Sequence, residues 1–471
     1  MRVRPARVWP WRPLWRMLCR FAIGRSRQGG LDMFRNSTRA WAVVLPALLA
    51  MAGAACESAP EVPEGPPITA LTGVRIIDGS GQAPVEGGTI LISEDRITAA
   101  GANVEVPAGA TVVDLNGKTV MPGIVNAHGH VQHVSDSVPM RDDLVRRLQM
   151  YANYGVTTVV SLGQQEADRD AVVVLRDEQD GIELDRARVY TSGPSTRAHQ
   201  SSEAAREAVA DLADRGADRI KFHMQGGDNA MSGETVASLI DEAHTRGLRT
   251  FSHIFTLAEA KLVVEGGLDV VAHSVRDQDV DGELIEAMRS RNVGYVPTLT
   301  RDLSIFTYET TPAFFEDPFF QRGISVYGEE MTMLSEEEYQ EGVRNNEQAQ
   351  SIKAALTQAT RNLKLLSDAG IQIGMGTDSG VRGNPGRWQG YFEHVEMAMM
   401  VEAGMTPMQV LVAATSGAAA VSNLDEIGTI APGMVADLLV LDANPLDDIL
   451  NTRQINSIWL EGRQLGASAM N

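Results

Sequence analysis

Eight short apolar runs recur through the middle of this chain, at residues 123–127, 157–162, 188–192, 219–222, 249–252, 269–272, 293–299 and 371–376. Helical patterns separate most of them, as at 202–215 and 232–246, with Gly216 and Gly247 where helix C-caps belong. Eight strand-helix units are what a (β/α)8, or TIM, barrel requires, and the active site of such a barrel lies at the C-terminal ends of its strands.

The flanks have another texture. From Ile68 to Val120, β-branched runs at 73–77, 89–92 and 111–115 alternate with Gly, Pro and Asp turns, and 428–465 repeats the pattern with strands at 437–442 and 456–460. Two strand-rich ends around one long middle predict an α/β fold: a TIM barrel over 122–427 and a small β-sandwich assembled from 68–121 and 428–471. The stretch 301–346, after the seventh run, carries Phe306, Tyr308, Phe314, Phe315, Phe319 and Phe320. It exceeds an ordinary loop and reads as a lid or substrate-recognition insert.

At 471 residues the chain accommodates one barrel of about 250 residues or more beside a smaller domain. Residues 1–30 hold eight arginines and no acid, so 1–32 is read as an untranslated or disordered upstream extension. From Met33, Arg35 and Arg39 make a basic segment, 40–50 an apolar one, and Gly53-Ala54-Ala55 a small-residue run before Cys56. Residues 33–56 therefore read as a bacterial export signal. It is similar to a lipoprotein signal in which Cys56 becomes the lipidated first residue, with Gly53 standing where Leu is usual. Cleavage without lipid is the alternative; the apolar run, broken by Pro46, is shorter than the roughly 20 residues of a membrane span. The Glu- and Pro-rich residues 57–67 form a linker, and the expected location is the periplasm, with Cys56 as an outer-membrane lipid anchor.

Cys19 and Cys56 are the only cysteines, so the domain after the signal forms no internal disulfide. With ten arginines and one aspartate in the first 55 residues, the remainder carries 31 basic and 60 acidic residues, a net charge near −29. That charge excludes nucleic acid as a partner and leaves a small molecule.

Five of the eight runs end on residues that bind divalent metals. His128 and His130 follow the first run in PGIVNAHGH, and period-2 alternation sends both imidazoles to one side. An HxH pair arises by chance in a chain with nine histidines; its place after the first barrel strand selects the ligand reading. Lys221 sits inside the run 219–222, where a charged ammonium is costly. Either it snorkels or pairs, or it stays neutral enough to add CO2 and become a carbamate bridging two metals. Alone, the first reading prevails; beside the other ligands the carbamate is preferred. His253 and His273 end consecutive runs, and Asp378, in GMGTDSG, ends the eighth, where it binds a cation and shuttles a proton.

The segments VMPGIVNAHGH, YGVTTVVSLG, GADRIKF, FSHIF, VVAHS, GMGTDSG and IGTIAPGMVADLLVLDANP together resemble the amidohydrolase superfamily, from about Ile68 to the C-terminus. Lys221 makes the chain similar to its binuclear, prolidase-like branch rather than to the mononuclear imidazolonepropionases. The resemblance implies that His128, His130 and Asp378 hold a buried metal, His253 and His273 an exposed one, and carbamylated Lys221 both, the two ions being zinc or a similar divalent cation. It implies a hydrolase acting on an amide-type C–N bond, of the dipeptide or N-acyl amino acid class, through hydroxide bridging the ions, with Asp378 catalytic. An imidazolonepropionase-like cyclic amidase, a lactonase or phosphotriesterase, and a noncatalytic scaffold are the alternatives. Asn126 stands where many members have Asp, Ser161 replaces a frequent Arg-Asp start, and Phe255 takes the place of a substrate-contacting Tyr, so the substrate does not carry over.

His199, in the loop after the third run, and His223, on the strand face of Lys221, are candidate substrate contacts, and His133 is a weaker one. Arg301 and Arg382, in loops after the seventh and eighth runs, are candidates for a substrate carboxylate. His244 and His394 fall in helical patterns and read as structural. Gly117-Lys118-Thr119 lacks the earlier glycine of a phosphate loop, and no GxSxG nucleophile motif is present.

Overall fold

The computed structural model describes residues 66–135, 137–197, 199–224 and 230–466. The upstream extension, the export signal with Cys56, and most of the linker lie outside the described residues. The terminal sheet begins with β1 (Ile68–Ile76), β2 (Val85–Ser93), β3 (Arg96–Gly101), β4 (Thr111–Asp114) and β5 (Thr119–Pro122). The barrel strands follow as β6 (Ile124–Gly129), β7 (Val156–Ser161), β8 (Arg188–Thr191), the short β9 (Thr196–Arg197), β10 (Arg219–His223), β11 (Arg249–His253), β12 (Val270–Ala272) and β13 (Gly294–Val296). The C-terminus then supplies β14 (Leu438–Leu441), β15 (Ile455–Leu460) and β16 (Arg463–Gln464).

The termini build one eight-stranded sheet of order β16-β15-β14-β5-β1-β2-β3, with β4 also beside β1. Gly73 makes that dual pairing possible. Its φ of 73° and the register shift beside it bend β1, so that Thr69–Thr72 pairs with β4 and Arg75–Ile76 with β5. The sheet curls until the segment before β14 meets β3, where Ile97 N–H donates to Met434 O at 2.9 Å and Gly433 N–H to Ile97 O at 2.8 Å. Leu71, Val74, Ile90, Val120, Leu438 and Trp459 fill the interior. Buried Arg188, at the start of β8, ties this sandwich to the barrel through Asp437 and, at 2.8 Å, Glu461.

Within the barrel, β6-β7-β8 and β9-β10-β11-β12-β13 are parallel sheets. Asp218 N–H joins them at one seam by donating to Thr191 O at 2.8 Å. At the other seam runs the eighth stave, residues 371–377. It exchanges bonds with Tyr295 on one side (Tyr295 N–H to Gln372 O and Gly374 N–H to Tyr295 O, both 2.9 Å). On the other side Ala127 N–H donates to Met375 O at 2.9 Å and Thr377 N–H to His128 O at 3.0 Å. Ladder pairing of the stave is confined to one bridge, Tyr295 with Ile373. The helices between strands start and stop where their sequence signals lie. Ser201 and Ser232 cap Ser202–Asp214 and Gly233–Thr245, and Gly216 and Gly247 follow in the left-handed conformation at φ 89° and 77°.

One expectation changes. The seventh strand is shorter than 293–299 because Thr298 turns left-handed, with φ 51°, and the helix Leu299–Phe306 starts immediately after it. The insert is a packed helical wall, including Ile324–Leu334 and Glu337–Asn345, pinned by Phe315, Phe319, Phe320 and Tyr327 against Tyr154 and Trp388. Among the described residues no helix is long and apolar enough to cross a membrane.

The eighth stave passes so close to its neighbours that a Cβ on Gly376 would lie 2.6 Å from Val296 Cγ1 and 2.7 Å from His128 Cβ. Gly376→Ala is therefore expected to destabilise the protein by about 1–3 kcal/mol through overpacking. Denaturant unfolding measures this, and an unchanged midpoint would show that the seam has slack.

Candidate metal centre

His128 in β6 and His130 just after it converge on Asp378, which the eighth stave brings against them. Asp378 Oδ1 lies 3.0 Å from His128 Nε2 and 2.9 Å from His130 Nε2. Lys221 Nζ, from β10, is 3.5 Å from His128 Nε2. The ring centroids of His128 and His273 are 4.6 Å apart, those of His273 and His253 4.2 Å, and His223 stacks on His253 at 4.7 Å. The six residues expected as ligands thus form one contiguous cluster at the C-terminal ends of β6, β10, β11, β12 and the eighth stave. Among the described residues, His128, His273 and Asp378 bring ligand atoms within 4.8 Å of one another, a group that could hold a metal ion. His273 and Asp378 are left-handed non-glycine residues, with φ 68° and 58°, a conformation that persists only where surrounding structure enforces it.

Burial sets the protonation states. It lowers His128 to about 3, helped by the Lys221 charge, and with neighbouring cations it holds His253 and His273 well below their ordinary value. Burial also lowers Lys221 to about 7 against the attraction of Asp378. For Asp378 burial pushes upward, but the close imidazoles of His128 and His130, with His273 and Arg387 nearby, hold the carboxyl well below the usual range. Neutral imidazoles and an ionised carboxylate are the ligand forms of zinc and similar ions. The cluster fits such ions on a further observation: His128 Nδ1 is buried with no hydrogen-bond partner.

The surroundings orient the ligands. His130 Nδ1–H donates to Gly163 O at 2.7 Å, and His273 Nδ1 bonds Thr298 Oγ1 at 2.7 Å. Arg387 Nη1 donates to Asp378 Oδ2 at 2.5 Å. Arg387 also borders a cleft of about 730 Å³ shared by Phe255, Arg301, Ile305, Tyr339 and Ile352. Arg301 therefore lies beside the cluster, and His223 flanks it. Arg382 does not line that cleft; its main-chain N–H bonds Gln132 Oε1 at 2.8 Å. His199 Nε2 bonds Thr196 Oγ1. His133 pairs with Asp143 at 3.1 Å, His244 with Asp269 at 2.8 Å, and His394 bonds Thr452 and Tyr154 O inside the protein. Sequence reasoning missed Arg387, which shares a Gly-rich loop with Arg382, and the buried acids Glu393 and Glu396. The signal for the acids was two carboxylates three residues apart in the largely apolar helix Tyr391–Glu402.

Residues 119–465 match the model of the amidohydrolase family. The chain belongs to the amidohydrolase family. Among solved structures, a putative prolidase from Bifidobacterium longum superposes with a TM-score of 0.69 at 26% identity, covering 84% of this chain and 94% of that one. A Xaa-Pro dipeptidase with bound methionine shares the fold at TM-score 0.64 and 20% identity, over 84% of this amidohydrolase and 99% of the dipeptidase. An uncharacterized protein of Mycobacterium tuberculosis is 26% identical over 211 residues, 42% of this chain and 55% of the relative, so the match spans about half the length of such a curated relative. An imidazolonepropionase of Deinococcus deserti is 32% identical over 104 residues, 21% of this chain and 25% of the relative.

The buried histidines make stability depend on pH. His128 and His394 protonate at about 3 in the folded amidohydrolase but near 6.5 when unfolded, so the unfolded chain binds more protons between those values and stability rises with pH there. The unfolding free energy of the metal-free protein is expected to be fully developed above pH 6.5 and to fall as pH drops towards 3. His394→Gln should flatten that slope by up to about 1.4 kcal/mol per pH unit, and an unaltered slope would contradict the assignment.

Proposed function

We propose that this amidohydrolase cleaves an amide-type C–N bond in a small carboxylate-bearing substrate of the dipeptide or N-acyl amino acid class. His128, His130 and Asp378 would hold one divalent ion such as zinc, His253 and His273 a second, and a carbamate on Lys221 both. Bound ions of this kind lower the pKa of water towards about 7 and polarise a carbonyl under attack.

The observation that carries the reading is Lys221: a buried amine among histidines, brought to about 7, has a substantial neutral fraction to add CO2 at neutral pH. Asp378 is the proton carrier. Its Oδ2 is held by Arg387 and its Oδ1 faces His128 and His130, so the ionised carboxylate is fixed where it can take a proton from water and return it to the leaving amine. Arg301 supplies the anchor for a substrate carboxylate. Its Nη1 shares Asp302 with Arg276, and its buried Nε has no acceptor. Phe255, packed over Arg276 at 4.7 Å and 38% exposed, offers an apolar wall to the substrate's side chain, and His223 stands beside His253. The likeness to a putative prolidase supports the dipeptide class. His199 and Arg382 have no part in this reading.

A panel of dipeptides and N-acyl amino acids, assayed beside their carboxamides and a set of lactones, tests it. Turnover is expected for free acids and not for the neutral amides, and Asp378→Asn should lower kcat by about 10²–10⁴ with metals retained. Turnover of lactones alone, or full activity in Asp378→Asn, would overturn the reading.

A further inference from the structure

The helix Tyr391–Glu402 buries Glu393 and Glu396 completely, both at 0% exposure. Three residues apart, they share one face of the helix. A buried carboxylate is costly unless its oxygens are hydrogen-bonded, so where those bonds go is informative. Glu393 Oε1 accepts from Asn126 Nδ2 at 2.5 Å, Thr377 Oγ1 at 3.0 Å and Ser379 Oγ at 3.1 Å. Asn126 Oδ1 in turn accepts from the main-chain N–H of His128 at 2.9 Å, and Thr377 and Ser379 flank Asp378. Glu396 uses both oxygens: Oε1 accepts from Leu299 N–H at 2.7 Å, and Oε2 from the N–H and hydroxyl of Thr300 at 2.7 and 2.6 Å. That grip fixes the turn at Thr298, whose hydroxyl bonds His273 Nδ1.

We propose that Glu393 and Glu396 are positioning residues that set the metal ligands from one rigid helix, Glu393 placing His128 and Asp378 and Glu396 placing His273. Those are the three residues whose ligand atoms converge within 4.8 Å. The inference rests on the metal reading above. It also explains Asn126: its amide must present a donor to Glu393 and an acceptor to His128 at once, which an ionised aspartate cannot do.

The two acids differ in a way that makes the test specific. Glu393 receives all three donors on Oε1 while Oε2 has no partner, so a glutamine fits there without losing an acceptor. At position 396 a glutamine would turn an N–H towards a main-chain N–H. The experiment is competition titration of the full chain with Zn2+ against a chromophoric chelator, with thermal unfolding of each metal-free variant beside it. Glu396→Gln and Glu393→Met should weaken Zn2+ binding about 10–100-fold, the usual effect of removing an outer partner of a ligand, whereas Glu393→Gln should not weaken it measurably. Asn126→Asp should weaken binding by setting two carboxylates against each other, and adding Glu393→Gln should restore it, a non-additive result that general destabilisation does not produce. If Glu393→Met fails to fold, the isosteric Asn126 and Glu393→Gln variants carry the test. Wild-type affinity in Glu396→Gln and Asn126→Asp, or no recovery in the double variant, overturns the inference while leaving the metal reading intact. A wild-type protein that binds no Zn2+ overturns both.

Discussion

The carbonyl oxygen of His128 accepts two main-chain N–H groups, from Thr377 at 3.0 Å and Asp378 at 2.7 Å. On that seam depend both the closure of the barrel and the meeting of its first and last ligands. The eighth stave has almost no ladder of its own, so the approach allowed by Gly376 and the bonds from β13 and β6 hold it in place. Because His128 lies on one side of the seam and Asp378 on the other, opening the barrel here would separate the histidine pair from its carboxylate.

Burial then decides the chemistry of what the seam brings together. Four imidazoles, an amine and a carboxylate sit in a region of low polarity, where each charge is costly and each is answered by a neighbour or removed by a shifted proton. His128, His253 and His273 stay neutral, Lys221 loses most of its preference for the ammonium form, and Asp378 keeps its charge beside His128, His130 and Arg387. A cluster of buried imidazoles beside an ionised carboxylate is suited to acquire metal cations. The terminal sandwich, anchored by Arg188, and the aromatic wall formed by the insert brace the barrel from two directions.

Much of this was legible in the sequence because barrel geometry converts position along a run into position in space. A histidine, lysine or aspartate closing an apolar strand has one place to go, so His128, His130, Lys221, His253, His273 and Asp378 could be gathered without coordinates. The β-branched texture of both ends likewise showed that they share a sheet. What escaped depended on partners far apart in the chain or on local backbone conformation. Arg387 and Arg382 lie in one glycine-rich loop, and nothing in their spacing tells which turns towards Asp378. Glu393 and Glu396 look like interruptions of an apolar helix until Asn126 and Thr300 are seen against them. The left-handed turn at Thr298, which shortens the seventh strand, has no glycine to announce it.

The binuclear assignment is tested most directly by anomalous diffraction from crystals of the zinc-loaded protein, collected on both sides of the zinc absorption edge. Two anomalous peaks are expected, one at His128, His130 and Asp378 and one at His253 and His273, with carbamate density extending from Lys221 Nζ to both. A single peak beside an unmodified Lys221 amine would contradict it.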